Sequence, residues 1–416
     1  MTRTVDHLVV GAGIVGVSIA EALAREGAEV LVVDRGDVGR GCSEANAGWV
    51  TPCFAMPLPR PGLMGTALRW MADPDSPFYM QPRPTPSRLR WLLRFGMSMG
   101  RRDFVAGTGA LVELSRYSLD AYAALDDALP GRIGLQRRGL MMVALTTKGY
   151  RAARSDAEML AGLGIRSEML DAEGARRLEP ALTGEVAGVV YYPDEAHLQP
   201  LAAVQTIAER ARSLGARFEG GAEVFDFVVA EGRVREVRTT RGPIEAARVV
   251  LATGSWSSDL ARRLGLRVPL LGGKGYSMMI QAPTPPPEIP MMVLERKVAI
   301  TPYGDDVRLA GTLELVDGDD SISPRRVASI RRGAAAVLGI PESTEADRVW
   351  RGLRPCTPDG LPIIGPARAF DNVFIATGHQ MLGVQTGPAT GRLACDLLLG
   401  REPAFDPTPF RTERFR

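Results

Sequence analysis

A chain of 416 residues is long enough for two or three domains of about 150 residues each and for a sizeable buried core. Hydrophobic residues make up 45% and charged residues 24%, a globular balance that excludes a disordered, collagenous or multi-span membrane chain. Fifty basic residues against forty-eight acidic ones leave a net charge of +2, which gives no electrostatic reason to expect nucleic acid as a partner. Cys42, Cys53, Cys356 and Cys395 form neither a C-x-x-C pair nor a disulfide framework, and with three histidines no metal-ligand spacing emerges. A reduced, cytoplasmic setting and no metal follow. No apolar run of about 18 residues is present, and a Gly-rich element begins by residue 11, so the N-terminus reads as fold and not as a targeting signal.

In chain order, Asp6 to Val10 reads as a strand, Gly11-Ala12-Gly13-Ile14-Val15-Gly16 as a tight turn, and the following residues as a helix burying Val17, Ile19, Ala20, Leu23 and Ala24. Gly27 stops that helix. Val30 to Val33 is a continuous apolar run of the kind a doubly covered parallel strand requires, so the unit is βαβ. Thr51 to Arg102 holds many prolines with aromatics and arginines and reads as an irregular insertion. A long helix is expected from about Phe104 to Leu129, a strand from Leu135 to Leu145 and a helix from Lys148 to Leu163. Further on come a helix near Leu201 to Leu214, strands between Ala216 and Thr240, and an apolar strand, Ala247 to Ala252, that runs into Thr253-Gly254. Pro283 to Pro290 contains five prolines and reads as an extended surface connection.

Gly11, Gly13 and Gly16 stand between a strand and a helix, where glycines permit a tight turn, close approach of backbone to a pyrophosphate and close helix-to-strand packing. Asp34 ends the second strand eighteen residues after Gly16, in register to accept hydrogen bonds from an adenosine ribose. A dinucleotide is therefore expected. Two more apolar strands end in glycine, at Ala252-Thr253-Gly254 and at Ala376-Thr377-Gly378-His379. Several strand ends converging on one ligand suit a flavin buried along its whole length.

At this point the chain resembles the D-amino-acid oxidase and glycine oxidase superfamily of FAD enzymes, within it most closely the bacterial D-amino-acid dehydrogenases. The resemblance runs nearly end to end and rests on Ser43-Glu44-Ala45-Asn46-Ala47-Gly48, Lys274-Gly275-Tyr276-Ser277, Gly352-Leu353-Arg354-Pro355 with Thr357-Pro358-Asp359-Gly360, and Thr377-Gly378-His379 with Leu382-Gly383. It implies an α/β fold: a Rossmann-like FAD-binding domain assembled from 1–50, 191–262 and 346–416, and a second, α+β substrate domain on a mixed or antiparallel sheet from 51–190 and 263–345. The FAD contacts expected from it are Gly11, Gly13, Gly16, Asp34, Arg35, Ser43, Asn46, Ala47, Gly48, Val224, Gly254, Gly378, Leu382 and Gly383. Related sarcosine oxidases attach flavin through a cysteine five residues before the Thr-Pro-Asp threonine. Here that position is Gly352, so FAD is expected to be non-covalent, with Cys356 as a packing residue.

Arg354 matches the arginine that holds the substrate carboxylate in related enzymes, a role suited to a planar guanidinium that grips through two charge-assisted bonds. Its structural alternative is a pairing with Asp359. Tyr276 is expected to offer its hydroxyl to the same carboxylate, or else to pack. His379 is expected near the flavin ring, stabilising its reduced anion or packing, and His197 is a weaker candidate for the substrate wall. The implied reaction is oxidation of a D-amino acid, including D-proline or hydroxy-D-proline, by hydride transfer from the α carbon to flavin N5, with electrons passing to a quinone. Orientation carries this chemistry, so no protein acid or base is nominated. The alternatives are a glycine or sarcosine oxidase that uses oxygen and a non-catalytic FAD electron-transfer subunit. In the insertion, Trp70, Phe78, Tyr79, Trp91, Leu92, Leu93 and Phe95 alternate with Arg69, Arg83, Arg88, Arg90, Arg94, Arg101 and Arg102, a composition that suits peripheral contact with the inner membrane face.

Overall fold

The computed structural model describes residues 3–63, 65, 76–80, 85–316, 319, 321–341 and 344–415. Arg69, Trp70 and Arg83 of the proposed membrane-contact set lie outside the described residues.

Two sheets organise the chain. The first runs β10 (Val224–Ala230), β11 (Arg233–Thr239), β12 (Gly242–Leu251), β1 (Arg3–Val10), β2 (Val30–Val33) and β9 (Arg217–Glu219), with β19 (Val373–Thr377) beside β12 and β18 (Ile363–Pro366) beside β19. β1 is parallel to both β12 and β2, with Val10 opposite Leu251 and Val33, so three strand ends meet at one edge. Helix α1 (Ile14–Arg25) closes the βαβ unit and buries Val17, Ile19, Ala20 and Leu23. Against it cross α4 (Pro200–Ser213) and α5 (Gly383–Leu398). Gly387 and Gly391 set the closeness of the α5 crossing: a Cβ there would lie 2.6 Å from Ile14 Cγ1 and 2.5 Å from Ser18 O. A long helix, α3 (Arg101–Ala128), packs on the far side of α5, where Tyr122 donates to Val384 O at 2.8 Å.

The second sheet runs β17 (Arg348–Cys356), β13 (Leu271–Gln281), β16 (Asp306–Val316), β15 (Val298–Tyr303), β14 (Met291–Val293), β5 (Leu140–Ala144), β7 (Gly188–Tyr192) and β6 (Glu168–Leu170), with β4 (Phe78–Met80) beside β16. Most pairs are antiparallel, but β14–β5 and β16–β4 are parallel, so the sheet is mixed. A two-stranded link, β3 (Trp49–Val50) with β8 (Ala196–His197), joins the halves.

Three sequence readings differ from these findings. The Thr51 to Arg102 segment is not wholly irregular, since it contains β4 and helix α2 (Pro86–Met97), started by Pro86 and capped by the Thr85 hydroxyl. The strand expected at Leu135 to Leu145 is confined to Leu140–Ala144, because Gln136 turns aside to bridge His197. Finally, β17 pairs with β13, and Tyr191 and Tyr192 pair with β5 and β6. These residues belong to the second sheet, although the domain division expected from the sequence assigns 191–262 and 346–416 to the FAD-binding domain. Apolar alternation shows that a strand exists but not which sheet it joins.

Candidate functional site

A groove of about 460 Å³ opens at the parallel strand ends of the first sheet. Its walls include Gly11, Gly13, Asp34, Arg35, Ser43, Asn46, Val224, Gly254, His379 and Gly383. Ala47 and Leu382 instead line a second cavity of about 750 Å³, and Cys42, Asn46 and Gln380 line both, marking where the two meet.

The glycines divide by cause. Gly11 has φ +110°, and a Cβ there would stand 2.5 Å from Ala252 O; at Gly16 it would stand 1.8 Å from Gly11 O. Protein packing alone demands both. Gly48 and Gly378 also lie beneath the walls, against Leu198 O and Thr357 Cγ2. Gly13 differs, since a Cβ there meets only Ser43 Oγ at 3.4 Å. The space above it is open, at the N-terminus of a helix with no acidic residue in its first turn, a place suited to a phosphate group. Asp34 accepts from Ala12 N at 2.7 Å and from Gly36 N at 2.8 Å. It shapes the glycine turn, and each oxygen keeps a lone pair for a ribose hydroxyl. Ser43 Oγ accepts from Ile14 N at 3.1 Å. Arg35 lies over the Trp256 ring, 4.1 Å from its centre, at the groove edge. Trp256 lacks a motif of its own and escaped the sequence reading. The Glu44 to Gly48 loop is clamped from the second sheet: Arg308 donates to Glu44 O and Asn46 O, and Tyr303 OH and Thr301 Oγ1 donate to Ala47 O. These features fit FAD: Gly13 would hold its pyrophosphate, and Asn46 and Gln380, where the two cavities meet, would stand beside its ring.

Arg354 projects from β17 onto the cavity face of the second sheet. Its Nη1 donates to Thr312 O at 2.7 Å, and its guanidinium folds over Gly275, where a Cβ would lie 2.1 to 2.4 Å from Nη1, Nη2 and Cζ. The register steps from Lys274↔Glu314 to Tyr276↔Gly311, so Thr312 and Leu313 both oppose Gly275, forming a β-bulge. Thr312 has φ +62°, an outlier for a β-branched residue. The bulge thus aims the carbonyl that holds Arg354. Asp359 pairs with Arg414 at 2.6 Å and not with Arg354. Among the described residues Arg354 has no carboxylate partner, and burial lowers its pKa.

Tyr276 corrects an expectation. Gly273 pairs with Arg354 and Tyr276 with Arg351, so Tyr276 and Arg354 occupy opposite sheet faces. The Tyr276 hydroxyl donates to Glu314 Oε1 at 3.2 Å and accepts from Ser323 N at 3.3 Å, within a buried network where Lys274 meets Asp319 at 2.7 Å and Glu314 at 3.2 Å. Tyr276 still borders the same cavity as Arg354, with its hydroxyl engaged in that network.

His379 borders the groove, but its Nε2 stands 3.0 Å from Thr390 Oγ1, whose proton goes to Thr386 O at 2.9 Å. The network therefore assigns the proton to Nε2 and leaves Nδ1 an acceptor. Burial pushes the imidazole down to about 3. A neutral ring without a free donor offers no stabilisation to an anionic flavin. His197 lines neither cavity. It is buried, lowered to about 4 by burial, and meets the Tyr303 ring edge-on.

The remaining cavity wall is chiefly apolar, with Phe54, Met292, Leu294, Phe78, Trp91 and Phe95 among its residues. Trp91 and Phe95 stack 5.0 Å apart on the inner face of α2, and Arg88 is buried. The outer face carries Leu89, Leu93 and Met97, at 51%, 69% and 74% exposure. The helical period has separated the aromatics from the solvent-facing ridge.

A family described as FAD dependent oxidoreductase matches residues 6–397. Proteins named D-amino acid dehydrogenase from Rhizorhabdus wittichii and Chromohalobacter salexigens are 32% and 33% identical, each over 98% of this chain and 99% of theirs. The crystal structure of glycine oxidase from Geobacillus kaustophilus superposes with TM-score 0.81 at 26% identity, covering 99% of both chains.

Proposed function

The chain belongs to the family of FAD-dependent oxidoreductases, and from that premise we propose that it is a D-amino-acid dehydrogenase, oxidising the C–N bond of a D-amino acid to an imine that water then hydrolyses. One observation carries the substrate reading: Arg354, without a carboxylate partner among the described residues, faces a largely apolar cavity that joins the FAD groove. The printed names of the relatives supply the D-amino-acid class.

When bound, FAD supplies the two-electron acceptor. Arg354 grips the substrate carboxylate and thereby decides which face of the α carbon meets the ring wall. No carboxylate lines the cavity among the described residues, so nothing there stabilises a substrate ammonium. The amine is favoured neutral, with its lone pair free to drive C–H cleavage. Apolar walls keep water from the reacting carbon. FAD is held without a covalent bond: the Cys42 thiol donates to Leu353 O at 2.9 Å and burial raises its pKa, while burial pushes Cys356 up to about 12. Neither is a thiolate at neutral pH.

Electrons pass to a quinone-type acceptor at an anionic membrane surface. Support comes from α2, whose ridge of Leu89, Leu93 and Met97 is flanked by exposed Arg90, Arg101 and Arg102 while its inner face walls the cavity. Among the described residues no helix is long and apolar enough to cross a membrane, so the contact is peripheral.

The test is anaerobic bleaching of the flavin against D- and L-amino acids, prolines and N-methylglycines, followed by admission of air. Bleaching by D-amino acids with slow reoxidation in air and fast reoxidation by a quinone analogue is expected. Bleaching by glycine or sarcosine alone, with fast turnover on oxygen, overturns the reading in favour of an oxidase.

A further inference from the structure

Three cations line the larger cavity, Arg354, Lys297 and Arg60, and among the described residues no carboxylate does. Two of them have evident tasks. Arg354 is the carboxylate anchor, and Arg60 is held by Asp156 at 2.7 Å. Lys297 has no ion pair among the described residues. The nearby Glu295 already accepts from Leu145 N, Thr146 N and the Thr146 hydroxyl. Lys297 is exposed and lines the cavity wall. Burial and then the neighbouring Arg60 lower its pKa, while Asp156 and Glu295 act in the opposite direction.

The strand registers set the spacing of Arg354 and Lys297, the two cavity cations without an ion pair among the described residues. The Arg354 guanidinium rests over Gly275 of β13, Gly275 opposes the bulge of β16, and Lys297 immediately precedes Val298, the β15 partner of Gly311. Two interstrand steps of about 4.8 Å place the Lys297 backbone roughly 10 Å from the guanidinium. The flexible four-carbon stem of lysine shortens that gap. Small residues, Ala310 and Ala299, pave the neighbouring row and leave room for methylenes.

We propose that Lys297 forms a second anionic subsite and that the preferred substrates are D-amino acids bearing a side-chain carboxylate at about glutamate length. This rests on the assignment of the α-carboxylate to Arg354. The two carboxylates of the substrate meet the two cations, and the methylenes between them lie on the alanine row. An uncharged side chain of equal length leaves the lysine ammonium without a partner.

Binding to the anaerobic holoenzyme, read from perturbation of the flavin spectrum, compares glutarate with pentanoate. Glutarate should bind at least about tenfold tighter, and Lys297→Met should reduce that ratio to about twofold, whereas Lys297→Arg should retain most of it. In turnover, the kcat/KM ratio of D-glutamate to D-glutamine should fall at least about tenfold in Lys297→Met. Equal affinities in the wild type, or ratios unmoved by Lys297→Met, overturn the subsite while leaving Arg354 in place. If neither acid perturbs the flavin and no D-amino acid bleaches it, the subsite falls together with the Arg354 assignment.

Discussion

Gly275→Ala tests how the sheet positions Arg354. The added Cβ would sit 2.1 Å from Nη1, 2.2 Å from Nη2 and 2.4 Å from Cζ, against an ordinary separation of about 3.5 Å. The backbone cannot yield, because Gly275 is paired with Gly352 on one side and set against the bulge on the other. The guanidinium must therefore retreat by more than about 1 Å and lose its bond to Thr312 O. A displacement of that size costs roughly 100-fold in kcat/KM, or about 2.7 kcal/mol. Stability should suffer less. The charged hydrogen bond is worth about 1.5 to 3 kcal/mol, and replacing a strand glycine by alanine returns about 0.5 to 1 kcal/mol. The assay pairs kcat/KM for a D-amino acid with the Kd of a non-oxidised carboxylate and with thermal unfolding of the holoenzyme. In an Arg354→Ala background the same glycine substitution should leave kcat/KM and the carboxylate Kd unchanged within about 0.5 kcal/mol, since the obstacle is gone. Normal carboxylate affinity in Gly275→Ala, or additive losses in the double variant, would refute the positioning argument.

Three further outcomes follow from the same structure. Gly16→Ala should destabilise the apoprotein by several kcal/mol through the 1.8 Å contact with Gly11 O, whereas Gly13→Ala should cost it under about 1 kcal/mol yet markedly raise the Kd for FAD; equal apoprotein losses would remove the case that Gly13 serves the ligand. Burial raises the Glu195 pKa from 4.5 to about 8, with Oε1 accepting from Cys53 N, so its stabilising contribution is complete below pH 4.5 and is lost as pH rises toward 8, by at most about 1.4 kcal/mol per pH unit. Glu195→Gln cannot ionise, and its Tm should exceed that of wild type increasingly from pH 5 to pH 8; parallel profiles would contradict this. Leu93→Asp with Met97→Asp should abolish flotation with anionic liposomes at low salt while leaving the reductive half-reaction intact, and unchanged flotation would remove α2 from the membrane contact.

The βαβ unit could be read from the sequence because its signals are local. The run Val30 to Val33 is buried throughout, and Gly11 and Gly16 are required by backbone atoms only a few residues away or on the adjoining strand. The motif marks Arg354 as a candidate carboxylate anchor, and among the described residues its guanidinium has no carboxylate partner, with Asp359 turned instead to Arg414. Other features depended on strand pairing. Tyr276 and Arg354 are compatible along the chain, but the register Gly273↔Arg354 and Tyr276↔Arg351 sends them to opposite faces, and a single residue of slip would have reversed that. The bulge at Thr312, the recess around Lys297 and the proton on His379 Nε2 likewise arise between segments distant in sequence. Chemistry along the chain was enough to mark which residues are apolar, which turns need glycine and which cation suits a carboxylate. Which faces meet was set on assembly, because pairing partners and burial are properties of the packed sheets and not of any one strand.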